Sequence, residues 1–225
     1  ARRPHTGRTV TYTLNPQPTD IDLGGIRVRT LAYGNALPGQ VIRADVGDDL
    51  AVTVTNGLDH DTSVHWHGIA LRNDMDGAAP ATPDIGSGSQ FTYRFSVPHS
   101  GTYWAHPHTP LDTDRGLYIP VIVDDPRERA DYDAEWIVVL DDWTDGIGAS
   151  PQQIFDQLRR VGVARCGQPV VAAQQAALAQ VLPQWFDARA HRITSNPLVR
   201  ARSITSSASI RSRLPVTRYR RISAV

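Results

Sequence analysis

Apolar and polar residues alternate along most of the first 140 positions. Val10, Tyr12 and Leu14 are interleaved with threonines over Thr9–Leu14, the two-residue period that turns one face of a strand towards a core. Asn15-Pro16-Gln17-Pro18 breaks the pattern, and Gly24-Gly25 leads into a second short strand over residues 26–33. Further strands are predicted over residues 41–44, around Leu50, Val52 and Val54, over residues 63–71, across Phe91, Tyr93, Phe95 and Val97, and over residues 101–106, 118–123 and 135–140. Leu37-Pro38-Gly39, Val46-Gly47-Asp48-Asp49 and Asn56-Gly57 separate them with turn chemistry. Residues 73–90, with Pro80, Pro83, Gly86 and Gly88, read as loop. Strands recurring about every ten residues, with no helical period between them, predict an antiparallel sandwich or barrel rather than a βαβ fold.

The first helical pattern comes late. Ser150-Pro151-Gln152-Gln153 reads as a capping box with proline at the first helical position. Ile154, Phe155, Leu158 and Val161 then form one apolar stripe, and Gly162 is the expected stop. A second helix is predicted over residues 171–186 (Leu178, Val181, Leu182, Trp185), kinked at Pro183. Beyond residue 193 the chain is rich in Ser and Arg without periodicity and is expected to be irregular and poorly ordered. The pattern divides the chain into a β domain over 1–146, a helical linker over 147–165 and an Arg/Ser-rich tail over 166–225.

Charge sharpens that boundary. Basic and acidic residues balance over the 225 positions, but residues 1–165 carry 14 Arg against 22 Asp and Glu, while residues 166–225 carry 9 Arg against Asp187 alone. Such a shift from acidic to basic marks a boundary. The basic tail lacks the aromatic interleaving of a nucleic-acid-binding segment, so nucleic acid is not the expected partner. All 23 basic residues are Arg, which points to a GC-rich bacterial genome. One cysteine, Cys166, rules out an internal disulfide and a cysteine-based zinc cluster. No apolar run reaches the roughly 18–20 residues of a membrane-spanning helix. The chain opens on Ala-Arg-Arg with no apolar leader segment in view.

Two histidine pairs carry the chemistry. In Val64-His65-Trp66-His67-Gly68 the imidazoles are two residues apart on a predicted strand, so both lie on one face. Val64 and Trp66 take the opposite, core-facing side, which turns the histidines outward to a surface that a partner could close. His106-Pro107-His108 repeats the spacing at the end of another strand. Neutral imidazole suits Cu, Zn, Fe or Ni. A cupin site would need a carboxylate soon after the first pair, and Gly68-Ile69-Ala70-Leu71 offers none. A blue-copper site needs a thiolate beside two histidines, and Cys166 has no histidine near it in sequence.

These residues also carry a family resemblance. His65-Trp66-His67-Gly68, Asp74-Met75-Asp76-Gly77, Gly101-Thr102-Tyr103-Trp104-Ala105-His106-Pro107-His108 and Gly116-Leu117-Tyr118-Ile119-Pro120-Val121-Ile122-Val123 resemble, in order and spacing, the N-terminal cupredoxin domain of laccase-like multicopper oxidases. The resemblance covers roughly residues 9–160. It implies an all-β fold, a Greek-key cupredoxin β-sandwich, followed here by the short helix and the irregular basic tail. It implies copper as cofactor, dioxygen and a reducing substrate as reaction partners, and a location outside the cytoplasm, periplasmic or secreted. In the family, electrons taken from the substrate at a type 1 copper pass to a trinuclear cluster, where dioxygen is reduced to water. By resemblance His65 is a type 2 copper ligand and His67, His106 and His108 are type 3 ligands. Asp76 matches an acid beside the cluster that assists oxygen reduction; an aspartate in Met-Asp-Gly also suits a turn.

The resemblance stops after Val163. His-Cys-His and His-Pro-X-His-X-His-Gly, which carry the type 1 site and the cluster's other ligands in the family, do not occur in the chain. The four histidines would thus be half of a cluster, completed by another cupredoxin domain or a second subunit. Three accounts fit this sequence: a truncated or frame-shifted product, a fragment that pairs with another chain, or a one-domain copper-binding protein without catalysis. Substrate identity is set around the type 1 site and is not legible here.

Overall fold

The computed structural model describes residues 5–128, 134–161 and 220–224. The strands are β1 (Thr9–Leu14), β2 (Pro16–Asp22), β3 (Arg27–Tyr33), β4 (Ile42–Asp45), β5 (Asp49–Thr55), β6 (His65–His67), β7 (Gln90–Ser96), β8 (Gly101–His106), β9 (Ile119–Asp124), β10 (Ala134–Val138) and β11 (Arg220–Ala224), with one helix, α1 (Pro151–Val161). One sheet has the order β1-β5-β7 and the other β4-β9-β8-β6; β2 and β3 form a separate hairpin, and β10 pairs with β11.

The alternating positions face inward between the two main sheets. Leu50, Val52 and Val54 of β5 stand opposite Phe95, Tyr93 and Phe91 of β7. They join Val64, Trp66, Ala105, Ile119, Val121 and Val123 in one core. Strand β9 lies between β4 and β8 and is buried from Ile119 to Val123, which is why it reads as a continuous apolar run rather than an alternation. The hairpin β2–β3 builds a smaller cluster of Ile21, Val28 and Ala32, against which Leu23, Leu37, Trp143 and Ile147 pack.

Three features differ from the sequence reading. The sheets are mixed rather than antiparallel, because β1 runs parallel to β5 and β4 parallel to β9. Alternation along a strand is the same for both pairings, so it does not reveal direction. Asn15-Pro16-Gln17-Pro18 does not end strand structure: β2 begins at Pro16. The Asn15 carbonyl accepts from Gly34 N–H, whereas the Pro16 carbonyl faces away and accepts from Gly57 N–H. Pro16 and Pro18 therefore sit where no N–H is required for pairing with β3. Strand β6 is three residues long, not nine. Gly68, at φ +85°, turns the chain so that Ile69 N–H reaches the Trp66 carbonyl, a left-handed conformation open to glycine.

The capping box forms as read: Gln153 N–H donates to Ser150 Oγ at 3.3 Å, and Ser150 N–H donates to Gln153 Oε1 at 2.8 Å. The stripe on α1 is not a core stripe, for Phe155 is exposed with Arg159 over its ring. The second helix expected over 171–186 and the tail residues 166–219 lie outside the described residues. Within the expected irregular tail, the backbone of Arg220–Ala224 instead forms β11, parallel to β10. A run this short gives no periodicity to read, and an open strand edge supplies its pairing.

An ionic clip secures the start of β1. Arg8 donates to Asp48 and Asp45, and Thr6 Oγ1 donates to Asp48 Oδ1. Burial opposes the charge on Asp48, yet the hydrogen bonds from Arg8, Thr6 and the Asp45 N–H hold its pKa below the ordinary aspartate value. Arg8→Ala is accordingly expected to lower the urea midpoint at neutral pH. The gap from the parent should close as pH falls below about 3.9 and through the lowered value in the fold. Urea melts at pH 7 and pH 2 check this; an equal gap at both would refute it.

Candidate metal centre

Strands β6 and β8 pair antiparallel with His65 opposite His106 and His67 opposite Trp104. This register brings the two histidine pairs together at one edge of the sandwich. Val64 and Trp66 are fully buried, with Trp66 packed against Tyr93 and Phe95 at centroid distances of 5.6 and 4.8 Å. Tyr93 Oη also accepts from Val64 N–H at 2.9 Å. The strand is thus anchored on its inner face, and period two turns His65 and His67 outward. His65 and His106 are partly buried, whereas His67 and His108 are exposed.

Ligand nitrogens of His65, His67 and His106 all lie within 4.8 Å of one another. The ring of His108 stacks on that of His65, centroids 4.5 Å apart. The partners of each ring decide which nitrogen is free. His65 Nδ1 lies 2.8 Å from Asp76 Oδ1 and 3.2 Å from the Asp76 carbonyl. His108 Nδ1 lies 3.0 Å from the Gly77 carbonyl, and His106 Nδ1 lies 2.9 Å from the Pro107 carbonyl. All of these oxygens are acceptors, so each Nδ1 carries the proton and each Nε2 presents a lone pair. His67 is the other way round, with Nδ1 at 3.2 Å from His106 Nε2. Without a cation, His67 Nδ1–H donates to His106 Nε2; a shift of its proton to Nε2 frees both nitrogens for a metal.

Burial pushes the His106 pKa down to about 4, assisted by repulsion from His65, His67 and His108 and opposed by the hydrogen bond to the Pro107 carbonyl. Its imidazole is therefore neutral at physiological pH, the form that binds metal. The donor set, imidazoles only with preoriented lone pairs, fits copper. Trp104 stacks on His106 at 4.1 Å and 26° and covers His67 at 5.0 Å, which limits the rotamers open to both rings.

The loop after β6 supplies the oxygens that hold His65 and His108. Asp76 sits at the end of the short 3₁₀ turn Asn73–Met75. Gly77 follows at φ +67°, and a Cβ there would lie 2.2 Å from the Val64 carbonyl, so only glycine lets this loop close on β6. The sequence reading singled out Asp76 and all four histidines, and the structure brings the five together. It did not identify Ser63, whose Oγ accepts from His108 N–H at 3.1 Å, nor Thr82 under the loop. Ser63 opens the strand predicted over residues 63–71 and Thr82 lies in the loop read over 73–90, and a single hydroxyl in either place carries no signal of its own. Of the other described histidines, His60 is held apart from the cluster, its nitrogens 2.8 Å from Asp59 and 2.9 Å from Asp112. Its pKa is raised, first by the hydrogen bond to Asp59 and then by that to Asp112.

Comparison with known proteins identifies the family. Residues 17–128 match the multicopper oxidase family profile. The multicopper oxidase MmcO of Mycobacterium tuberculosis is 68% identical over 158 residues, which cover 70% of this chain and 31% of that protein. The chain belongs to the multicopper oxidase family. Copper resistance protein A of Pseudomonas syringae pv. tomato is 38% identical over 127 residues, 56% of this chain and 21% of that protein. Among solved structures, the laccase from Botrytis aclada superposes with a TM-score of 0.62 at 32% identity, covering 72% of this chain and 30% of that one. The β-sandwich is therefore the cupredoxin fold that the resemblance implied. The chain spans about three tenths or less of the length of these relatives. Among the described residues, no helix is long and apolar enough to cross a membrane.

Proposed function

We propose that this chain provides half of a trinuclear copper site, within an oxidase that couples oxidation of a reducing substrate to reduction of dioxygen to water. The observation that carries the reading is the convergence of His65, His67, His106 and His108 with three Nε2 lone pairs already selected by hydrogen bonds to the opposite ring nitrogens. In this reading His65 holds the type 2 copper, and His67, His106 and His108 hold the type 3 pair. The copper ions, when bound, supply the one-electron steps that dioxygen reduction requires. The chain's own residues do the rest. Asp76 accepts from His65 Nδ1 and thereby orients the ring; its carboxylate is also partly open to solvent (29%) and is placed to hold a proton on its way to the site. Trp104 and Trp66 keep the imidazoles from turning away.

The outward aspect of His67 and His108 supports a shared site, with the remaining ligands contributed by a facing cupredoxin domain or second subunit. A location outside the cytoplasm follows from the same family reading. The test is copper titration of the full chain against a chromophoric chelator, followed by metal analysis. Copper retained by the parent chain and lost from a variant with His65 and His106 both replaced by alanine is the expected result. Equal copper retention by both proteins, or none by the parent, would sink the reading. Oxygen uptake with a phenolic substrate is expected to be absent for this chain alone.

A further inference from the structure

The two hydrogen bonds that select the ligand nitrogens of His65 and His108 come from neighbouring residues, Asp76 and Gly77. One buried hydroxyl holds both. Thr82 is fully buried, and its Oγ1 accepts from Asp76 N–H and from Gly77 N–H, each at 3.1 Å, while donating to the Asn73 carbonyl at 2.6 Å. One donor and two acceptor sites are all a hydroxyl has, and each is used. Thr82 N–H in turn bonds to the Ala78 carbonyl at 2.9 Å, which fixes the side chain's own position.

Tying two successive N–H groups to one oxygen defines the backbone of Asp76, at φ −105° and ψ 10°, a sparsely populated conformation. That conformation aims the Asp76 carboxylate at His65 Nδ1 and Trp66 N–H. It also sets the Gly77 peptide so that its carbonyl meets His108 Nδ1. Gly77 lies so near the Val64 carbonyl that a Cβ could not be added, so the loop is seated directly against β6 and a shift of its peptides is felt at His65. His106 gives an internal contrast, since its Nδ1 bonds to the carbonyl of the adjacent Pro107 and does not touch this loop.

We infer that Thr82 is a positioning residue, which through Asp76 and Gly77 sets the tautomer and orientation of two metal-site imidazoles on different strands at once. The inference deepens the copper-site reading and rests on it for the consequence, though not for the geometry. Removing the hydroxyl leaves the buried Gly77 N–H without its partner and the Asp76 N–H with only its long 3.4 Å bond to the Asn73 carbonyl, so the two peptides shift to recover the lost bonds.

The experiment uses the full chain and its Thr82→Val, Thr82→Ala and Thr82→Ser variants. Imidazole tautomers are read in the metal-free proteins at alkaline pH by long-range ¹H–¹⁵N correlation, and copper affinity by chelator competition, with circular dichroism to establish folding. In Thr82→Val and Thr82→Ala, His65 and His108 are expected to become mixtures of tautomers while His106 keeps Nδ1–H. Copper affinity should fall by about tenfold, at the lower end for partners of metal ligands, and Thr82→Ser should restore both readouts. Unchanged tautomers, an equal disturbance at His106, or no recovery with serine would overturn the inference; so would failure of both apolar variants to fold, which makes Thr82 a residue of the fold. If the parent binds no copper, the site reading fails, and the tautomer pattern still decides the role of Thr82.

Discussion

Trp66→Ala is expected to be among the most destabilising single changes in the chain, at about 3–5 kcal/mol. The indole is fully buried between the sheets and packs on Tyr93 and Phe95. Truncation leaves a cavity walled in part by Tyr93 and Phe95 of β7, a strand paired with β5 along its whole length, so little collapse is available to fill it. The effect reaches function because Trp66 lies between His65 and His67 on a strand of three residues. Without its inner anchor, β6 keeps the pairing with β8 and the hydrogen bonds to Asp76 and Tyr93, but no large side chain remains to press it onto the core. Urea denaturation measures the first effect and chelator competition the second. A loss below about 1 kcal/mol, with copper affinity unchanged, would show that β6 is positioned by its edges rather than by the core.

The metal-free chain is expected to lose stability as the medium is acidified from about pH 6.5, and His106 supplies a separable part of that loss. In the unfolded chain this imidazole takes up a proton near pH 6.5; in the fold, burial and the neighbouring histidines delay uptake to about pH 4. Between those values the unfolded state binds more protons, so stability falls with falling pH and levels off below the lower value. Allowing for the solvent that reaches the ring, the His106 share is on the order of 1–2 kcal/mol. His106→Gln removes it, so the variant should show a shallower stability slope between pH 6.5 and 4 and should lose copper binding at every pH. Parallel stability curves for the two proteins would contradict the assignment of the depressed value to His106.

Most of the strand inventory was legible because a sandwich buries one face of each strand. Thr9–Leu14 and Gly101–His106 were read to the residue, since alternation and flanking turn residues agree there. Pro16 and Pro18 misled, because a proline is excluded from a strand only where its missing N–H faces a partner, and that orientation depends on register. Strand direction was equally hidden. Whether β1 runs with or against β5 is decided by how the intervening hairpin carries the chain across the fold, and neither strand's own residues record it.

The metal centre divides in the same way. His65-Trp66-His67 determines by itself that two imidazoles share a face and that a tryptophan anchors the other, because the strand period is a local property of the backbone. His106-Pro107-His108 repeats the donor type, and the surrounding motifs name the family. What sequence could not decide is that His65 lies opposite His106, for that register spans 41 positions of chain and is set by packing of the whole second sheet. Nor could it decide which nitrogen of each ring is free. That choice falls to carbonyl and carboxylate oxygens brought up by a loop, and behind them to a threonine hydroxyl. Hydrogen bonds between side chains and irregular backbone leave no period in a sequence, so they become visible only once the chain is folded.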